Sequence, residues 1–495
     1  MRRGSYALIC LLAAGCSAPG PERLPSPKRG LYKAREATHS GTPAERAAAH
    51  RRVIELCLEE GWSDEAAQDY LALRELSGED AQLLETLAWG TLRFALRSSD
   101  PARRIRGAEA LSRLVPNPVA LQLLRDGLGD PHPEVQVACV SALGRAGWGE
   151  ALATLERAEA CDPAAQRAAL DALSAEARGG RVAPEALAAA LPGAAASLER
   201  GPDRVRLAAL ELLALLGDPG AEALAQGIEQ ADEAVSQRAA VLFAARDAED
   251  ARARWRRTHL GRTPELAAFD RALGVHAGAS AGPVADDLAS EDPAVRHAAL
   301  RGLWGPGAAT LGAEIHALTE HPSRATRLAA LALARRWAPL PRPALLGLLG
   351  HEDPATRLAG FTALSAGETL GLDVLEPLWT SGDRALAPVV AECLLGEGPR
   401  GLELLERGVA RPATSRAALR ALQARPEAHP RFRALLEVTD PDARRLGARG
   451  LVYSASRADV PQLVEGLTTL RADTDVLCAA ALLSALEVST PPSVE

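Results

Sequence analysis

The chain has 495 residues and a formal net charge of −8 at pH 7, and 47% of its residues are hydrophobic although only 3% are aromatic. The length allows several domains or one extended array of repeats, and a chain rich in Ala and Leu but poor in β-branched residues favours helices over an extensive β-sheet. The acidic balance argues against a general nucleic-acid binder, so no nucleic-acid partner is expected.

The first residues have the pattern of an export signal. Residues 1–15, MRRGSYALICLLAAG, begin with two arginines near the amino terminus and continue with an apolar stretch. That stretch is about half as long as a membrane-spanning helix, as in signal peptides. The segment LAAGC that ends at Cys16 resembles the lipobox of bacterial lipoproteins, although Ala13 stands where that family more often has leucine. The resemblance implies cleavage before Cys16 and lipidation of its thiol. The alternative is an ordinary secretory signal with an incidental cysteine.

A lipid anchor at Cys16 implies an exported protein held in the bacterial cell envelope. Two or more acyl chains bind a bilayer firmly, where one chain does not. Ser17 follows the lipidated position and, by resemblance to enterobacterial sorting, permits delivery to the outer membrane. The periplasmic sides of the inner and the outer membrane both remain open. Residues 16–42 are rich in Pro, Ser and Gly without apolar periodicity, which predicts a flexible tether.

The next segment, residues 43–97, is predicted to be a helical cap. Residues 50–76, HRRVIELCLEEGWSDEAAQDYLALREL, weakly resemble a tetratricopeptide unit. A degenerate copy of the repeat that follows is equally compatible with the pattern. Both interpretations of the cap stay open at this point.

A short pattern then recurs along the chain: a polar residue, any residue, two small residues and an apolar residue. Clear copies begin at Gln136, Gln166, Arg206, Gln237, Arg296, Arg327, Arg357, Ser415 and Arg445, and weaker ones at Arg106, Glu265, Ala387 and Leu477. The copies lie about 30 residues apart, a spacing typical of repeat architectures. One longer interval contains the Gly-rich residues 177–185, which predict a loop insertion. We therefore predict a repeat array over residues 98–487 and a disordered tail over 488–495.

Each period also carries signals for the start of a helix. Asp-Pro precedes the pattern at Asp100, Asp130, Asp162, Asp292, Asp353 and Asp440. Aspartate accepts hydrogen bonds from the free amides at a helix start, and proline suits the first helical position. A second apolar stretch lies upstream of the pattern, as in residues 119–128. The period is thus a helix-turn-helix unit, and stacked units bury a continuous core. The predicted fold class is all-α, an α-solenoid (superhelix) of about 12–13 such repeats.

These segments carry a family resemblance. Residues 130–155, DPHPEVQVACVSALGRAGWGEALATL, resemble a HEAT-like repeat of the phycobilisome-lyase type, and residues 292–303, DPAVRHAALRGL, resemble it as well. The similarity covers roughly residues 80–487. In that family the turn aspartate and the following arginine often pair between adjacent repeats. The resemblance implies structural roles for Asp130, Asp292, Arg296, Asp353 and Arg357.

Motifs of known chemistry are not found in the sequence. There is no phosphate-binding glycine loop, serine-hydrolase elbow, zinc-protease motif or paired CxxC. His316 and Glu320 share a helix face, but two ligands fall short of a zinc site, and a solvated helix end is expected. Buried thiols rather than a disulfide framework are expected for the five cysteines after Cys16, which are Cys57, Cys139, Cys161, Cys393 and Cys478. No catalytic residue, metal or cofactor is predicted.

The pattern-bearing helix lines the concave side in solenoids of this kind, and this resemblance locates a candidate binding face. Positions one, five and eight after the start of the pattern share a face of that helix. The predicted face comprises Arg167, Glu211, His297, Arg301, Trp304, Arg335, Arg420 and Tyr453. Arginine beside exposed Trp or Tyr is the composition of a binding hot spot. The alternative is an ordinary helix surface, with Trp304 filling a junction between repeats.

A second candidate is a basic patch in the least regular repeat. It comprises Arg252, Arg254, Trp255, Arg256 and Arg257. Arginine and tryptophan together can bind phosphates or stacked rings. A solvated helix face whose arginines reach into water is the alternative.

Anchor, tether and concave surface together favour a non-catalytic, lipid-anchored scaffold that binds a protein, a peptide or a cell-wall component in its groove. A structural envelope element that self-associates is one alternative. The family resemblance adds a bilin-lyase-like enzyme as another, although such enzymes act on cytoplasmic substrates and the lipobox argues against that compartment. The fold alone does not decide among them.

Overall fold

The computed structural model describes residues 26–487 except for 159–160, 181, 231, 260–262, 368–369, 410, 424, 426–427, 439 and 469–473. These described residues form helices and connecting turns, without a strand. They belong to two compact units, one ending at Asp80 and the other beginning at Ala81. None of the described helices combines the length and the hydropathy that a bilayer crossing requires. The predicted signal peptide, Cys16 and the predicted tail lie outside the described residues.

The first unit consists of three helices: α1 (Ser26–Ala37), α2 (Pro43–Glu60) and α3 (Ser63–Ser77). Helix α2 begins at a capping box between Thr42 and Glu45 and ends at Gly61, whose φ of 79° is the left-handed conformation that glycine tolerates. Helix α1 packs on α2 and buries Leu31. The prediction of a flexible tether over residues 16–42 is therefore wrong for Ser26–Ala37.

The second unit is a succession of helix pairs. Its helices are α4 (Ala81–Arg97), α5 (Pro101–Leu111), α6 (Pro118–Asp126), α7 (Pro133–Gly144), α8 (Trp148–Ala158), α9 (Pro163–Arg178), α10 (Pro184–Ala188), α11 (Leu191–Arg200), α12 (Asp203–Leu215), α13 (Asp218–Ile228), α14 (Glu233–Ala244), α15 (Ala248–His259), α16 (Pro264–His276), α17 (Gly282–Leu288), α18 (Pro293–Gly302), α19 (Gly312–Leu318), α20 (Arg324–Trp337), α21 (Arg342–Leu348), α22 (Pro354–Gly367), α23 (Leu372–Ser381), α24 (Ala387–Gly396), α25 (Gly398–Val409), α26 (Ser415–Leu422), α27 (His429–Leu436), α28 (Pro441–Ser454), α29 (Val460–Leu467) and α30 (Thr474–Glu487). Apart from α10, which lies in the predicted loop insertion, they form thirteen consecutive pairs from α4/α5 to α29/α30. The α-solenoid of helix-turn-helix repeats is confirmed. Its first helix, α4, begins at Ala81 and pairs with α5. The predicted start of the repeat array at residue 98 is therefore wrong.

Local chemistry explains where the pattern-bearing helices begin. In α5, α9 and α18 the aspartate of the Asp-Pro pair accepts a hydrogen bond of 2.8–2.9 Å from the backbone N–H two residues later, as predicted. Helix α7 differs, since it begins at Pro133, beyond the Asp-Pro pair. There Asp130 accepts hydrogen bonds from the backbone of His132 and from the Arg104 guanidinium. Although burial acts in the opposite direction, these bonds hold the pKa of Asp130 below its ordinary value.

A ladder of charged pairs joins successive repeats. In each pair an arginine of one pattern-bearing helix contacts the aspartate 26 residues later, at the next turn. The pairs are Arg104–Asp130 at 2.6 Å, Arg206–Asp232 at 3.6 Å, Arg327–Asp353 at 3.3 Å and Arg357–Asp383 at 2.5 Å. Where Gln136 replaces arginine, its amide bridges the Asp130 carbonyl and the Asp162 N–H. Asp130, Asp353 and Arg357 therefore have the structural role that the family resemblance implies. Asp292 instead caps α18 and Arg296 donates to the Ser290 carbonyl, so the ladder is incomplete.

Small residues let the repeats approach closely. Ala298 and Ala299 of α18 are fully buried, which confirms that the small pair of the pattern faces the core. A Cβ on Gly302 would lie 2.7 Å from the Cβ of Ala272 in α16, nearer than two carbon atoms can pack. Glycine and alanine at these positions thus bring successive pattern-bearing helices into contact.

The last repeat packs against the first. Helix α30 contacts both α4 and α5, and Arg103 forms an ion pair with Asp475, 372 residues further along the chain. The Asp475 side chain is 0% exposed, so the contact is buried. In an open solenoid a repeat contacts only its sequence neighbours. The second unit is therefore a closed ring of repeats, and the repeat pattern of the sequence does not predict this closure.

Candidate binding site

A cavity of about 870 Å³ lies where the ring closes. Most of its wall belongs to α26, α28, α30 and α5, the pattern-bearing helices of the last three repeats and the first. Four successive helices of one kind converge on this cavity, which indicates that the pattern-bearing helices face the inside of the ring. We call their exposed surface the inner face.

The cavity is lined by guanidinium groups and by apolar side chains, and we call it the arginine pocket. Its arginines are Arg106, Arg113, Arg416, Arg420, Arg445 and Arg449. Its apolar lining includes Ile105, Leu419, Leu435, Leu446 and Leu477. Glu109 and Asp440 are the acidic residues that also line it. The pocket therefore combines excess positive charge with apolar contact area.

The arginines of the pocket repel one another. Burial, together with the charges of Arg449 and Arg145, lowers the pKa of Arg113 to about 10. Burial also lowers the pKa of Arg449, and Arg420, Arg145 and Arg416 add to the shift while Glu109 opposes it. A pKa near 10 still leaves Arg113 charged at pH 7. The folded protein thus holds several positive charges close together at a cost in free energy.

Carboxylates of the described residues pair with some of these arginines but not with all of them. Within the described part of the chain, Arg113, Arg416, Arg420 and Arg449 form no ion pair. Arg106 is different, because it lies 3.8 Å from Asp100. Perturbed ionisable groups held together in a cleft are a common mark of a binding site.

The aromatic ring of Tyr453 positions one of these arginines. The Arg113 guanidinium lies over the Tyr453 ring at 4.8 Å from its centroid, a cation–π contact between the first repeat and the twelfth. Tyr453 itself is 50% exposed. Of the predicted face, Arg420 therefore lines the arginine pocket, and Tyr453 borders it through its contact with Arg113.

Glu211 and Trp304 of the predicted face are engaged in a chain of internal contacts. Arg238 donates a hydrogen bond of 2.6 Å to Glu211, and its guanidinium lies 5.7 Å from the centroid of the Trp304 ring. Trp304 is half-buried rather than exposed. For Trp304, the structure favours the alternative of a residue that fills a junction between repeats.

The other residues of the predicted face lie apart from the arginine pocket. Arg167 lies 3.4 Å from Asp171 and lines a second cavity of about 760 Å³ between α9 and α12. The ring of His297 hydrogen-bonds the Thr326 hydroxyl at 3.1 Å. Arg301 on α18 and Arg335 on α20 are exposed. The predicted stripe is thus a series of separate clusters.

The structure corrects the predicted basic patch. Trp255 is fully buried, stacked on His259 at 4.2 Å and against Phe269, so it is not on a surface. It faces the core because Ala251, Trp255 and His259 are four residues apart on one face of α15. The prediction that Trp255 belongs to the basic patch is therefore wrong.

The four arginines of the patch are paired with carboxylates. Arg252 and Arg256 both donate to Asp270, and, although burial acts in the opposite direction, they hold its pKa below the ordinary value. Arg254 contacts Asp250 at 2.8 Å. Arg254 and Arg257 also contact Glu229, at 3.0 and 3.6 Å. The patch therefore offers less free positive charge than the arginine pocket.

Cysteine and histidine positions accord with structural roles. The five cysteines of the described chain are free thiols, and burial raises the pKa of Cys139 to about 12. Cys57, Cys139 and Cys478 are buried as expected, whereas Cys161 and Cys393 are half-buried. His316 donates to the Ala338 carbonyl at 2.8 Å. No group of His, Cys, Asp or Glu within the described ranges has the arrangement of a metal site.

Sequence reasoning missed the residues that complete the pocket. Arg113 and Arg449 come from the first and the twelfth repeat, and only ring closure brings them together. The weak signal in the sequence was arginine on successive pattern-bearing helices, which alone does not distinguish a pocket from a solvated face.

A comparison with protein families matches part of the second unit. A sequence model of HEAT repeats matches residues 91–174, within the first three helix pairs. The match shows that these residues are similar to HEAT repeats, and the thirteen stacked pairs make the second unit an α-solenoid. No curated protein matches the chain.

Similar solved structures have low identity to this chain. A mutant of Kap121p is 12% identical with a TM-score of 0.32, over 94% of this chain and 68% of that one. The karyopherin Kap121p bound to the extreme C-terminus of the protein phosphatase Cdc14p is 15% identical with a TM-score of 0.23, over 94% and 53%. A circular tandem repeat protein is 16% identical with a TM-score of 0.10, over 94% of each chain.

Proposed function

We propose that this protein is a non-catalytic scaffold that binds a protein or peptide partner on the inner face of its ring. We further propose that a lipid at Cys16 anchors it on the periplasmic side of a bacterial envelope membrane. The solenoid supplies a long, repetitive surface, and such surfaces bind extended partners through many small contacts.

The arginine pocket is the observation that carries the proposal. Like charges held together on a half-buried wall lower stability, and a partner with opposite charge relieves their repulsion. Exposed Arg301 and Arg335 on other inner helices extend the available surface. Arginine and tyrosine, as at Arg113 and Tyr453, are among the residues that contribute most to protein interfaces.

The membrane anchor rests on the sequence pattern that ends at Cys16. Mass spectrometry of the mature protein tests it directly. We expect an amino terminus at an acylated Cys16 and loss of the protein from the membrane fraction in Cys16→Ser. A mature chain that still begins at Met1 would contradict the anchor.

Site-specific photo-crosslinking in the native organism tests the scaffold. A photoreactive amino acid replaces Arg301 or Arg420 on the inner face, and the control replaces Gln122, which is exposed on α6, the first helix of its pair. We expect one defined partner band from the inner positions and none from Gln122. Crosslinks of equal yield from all three positions, or only to a second copy of the chain, would overturn the proposal.

A further inference from the structure

We propose that the arginine pocket is a binding site for an acidic peptide segment that carries apolar side chains between its carboxylates. This inference rests on the proposed function and names the chemistry of the partner at that site. The occupant is a segment of another protein, recognised by the charge and shape of the pocket.

Charge complementarity is the first argument. Arg113, Arg416, Arg420 and Arg449 form no ion pair within the described part of the chain, although six arginines line the pocket. A guanidinium group presents its donors in a fork that matches a carboxylate, so several arginines can each bind a carboxylate through two hydrogen bonds. A ligand with two or more carboxylates would satisfy donors that the described residues leave without acidic partners.

The apolar part of the wall distinguishes a peptide from a compact polyanion. Leu419, Leu446 and Leu477 line the same cavity as the arginines. Inorganic polyphosphate or a nucleic-acid backbone would leave these side chains in contact with charged oxygens or water. A peptide that alternates carboxylate and apolar side chains would cover both parts of the lining, and burial of its apolar groups would add to the binding free energy.

Acidic residues in the pocket also act against a ligand of high charge density. Glu109 is exposed on α5 and lines the cavity with Asp440. The charge of Glu109 raises the pKa of Arg449 against the lowering by burial, so Glu109 acts electrostatically on that arginine. A dense polyanion would be repelled by Glu109, whereas a peptide can place an uncharged residue there.

Size is consistent with such a ligand. The cavity of about 870 Å³ lies in the range of sites that enclose a molecule of several linked groups. Tyr453 already holds the Arg113 guanidinium in place through its ring, so part of the site is ordered before the ligand binds. Preorganised groups lose less entropy on binding.

Fluorescence anisotropy with the full chain tests the site. The probe is a fluorescein-labelled peptide of alternating glutamate and leucine, and its counterpart has glutamine in place of each glutamate. We expect the glutamate peptide to bind about tenfold or more tightly than the glutamine peptide, because only the former pairs with the arginines. The same probe should bind about tenfold or more weakly to Arg420→Gln and to Arg449→Gln.

Arg384→Gln is the matched control, since it removes one positive charge from an exposed arginine outside the pocket. We expect it to bind the probe within about twofold of the unchanged chain, because an exposed charge that does not line the cavity is screened by salt. Circular dichroism melts of each variant separate a lost contact from a lost fold. Arg420 is exposed, so Arg420→Gln is the variant that keeps the test valid if Arg449→Gln unfolds.

Three results would overturn the site. One is that the two peptides bind equally well or that neither peptide binds. Another is an equal loss of binding in Arg384→Gln and Arg420→Gln. The third is displacement of the peptide by sodium tripolyphosphate at a lower concentration than by unlabelled peptide, which would make phosphate the ligand. If the peptide-binding test fails but crosslinks still form from the inner face, only this site is contradicted. If the crosslinks are absent too, the proposed function is contradicted.

Discussion

The ion pair that closes the ring gives the sharpest prediction about stability. Asp475 on α30 is 0% exposed and Arg103 on α5 is 12% exposed, so both charges lie in the interior. Asp475→Asn keeps the volume of the side chain and removes the carboxylate from the ion pair with Arg103. Removing one partner of a buried pair costs about 3–5 kcal/mol, because the remaining charge stays desolvated and loses that attraction. Asp171→Asn breaks the exposed pair with Arg167 and should cost about 0–1 kcal/mol.

Hydrogen exchange measured by mass spectrometry can locate this loss within the ring. Since repeats interact with their neighbours, the destabilisation should be greatest where the two ends of the unit meet. We expect faster exchange in α4, α5 and α30 of Asp475→Asn and unchanged exchange in α16 and α18. Unfolding in urea gives the size of the effect. Equal losses in Asp475→Asn and Asp171→Asn, or faster exchange spread evenly over the ring, would refute the reasoning.

Two further predictions concern the packing and the titration of the inner repeats. Ala298→Arg forces a charged side chain into a fully buried position and should lower the free energy of unfolding by about 2 kcal/mol or more. Ala294→Arg, on the exposed face of the same helix, should leave the thermal melt unchanged. Equal melts of the two variants would mean that the buried face is misassigned. Burial lowers the pKa of His276, whose neutral ring donates to the Gly302 carbonyl and accepts from the Gly307 N–H. Because this folded-state pKa lies below the unfolded value of about 6.5, its contribution is complete above that pH and is lost as the pH falls toward the folded value. The melting temperature should therefore drop more between pH 7.5 and pH 5.5 in the unchanged protein than in His276→Gln, and parallel drops would contradict this role.

Features set by local sequence could be predicted. The caps at Asp100 and Asp292 depend on residues two positions apart, and the buried face of α18 follows from the spacing of its small residues. Helix α1 was missed because a composition rich in proline and glycine obscured the apolar pair Leu31 and Ala34, three residues apart on one face.

Features set by the sum of many repeats could not be predicted. Ring closure depends on the small rotation between successive repeats, accumulated over thirteen pairs, and no short segment encodes that sum. The arginine pocket depends on closure in turn, which is why Arg420 and Tyr453 were identified without Arg113 and Arg449. Trp255 was misassigned for a different reason, because the arginines around it concealed that it shares a helix face with Ala251.

The distance between the first and the eleventh repeat tests the central claim, ring closure around the arginine pocket. Nitroxide labels at Glu109→Cys and Arg420→Cys, with Cys161→Ser and Cys393→Ser to remove the half-buried native thiols, can be measured by double electron–electron resonance. Both labelled positions line one cavity, so the account predicts a narrow distribution of label-to-label distances below about 30 Å. In an open stack, the ten interfaces between the first and the eleventh repeat, at about 9 Å per helix spacing, would separate the labels by about 90 Å. A distribution centred beyond about 50 Å would contradict the closed ring and, with it, the pocket.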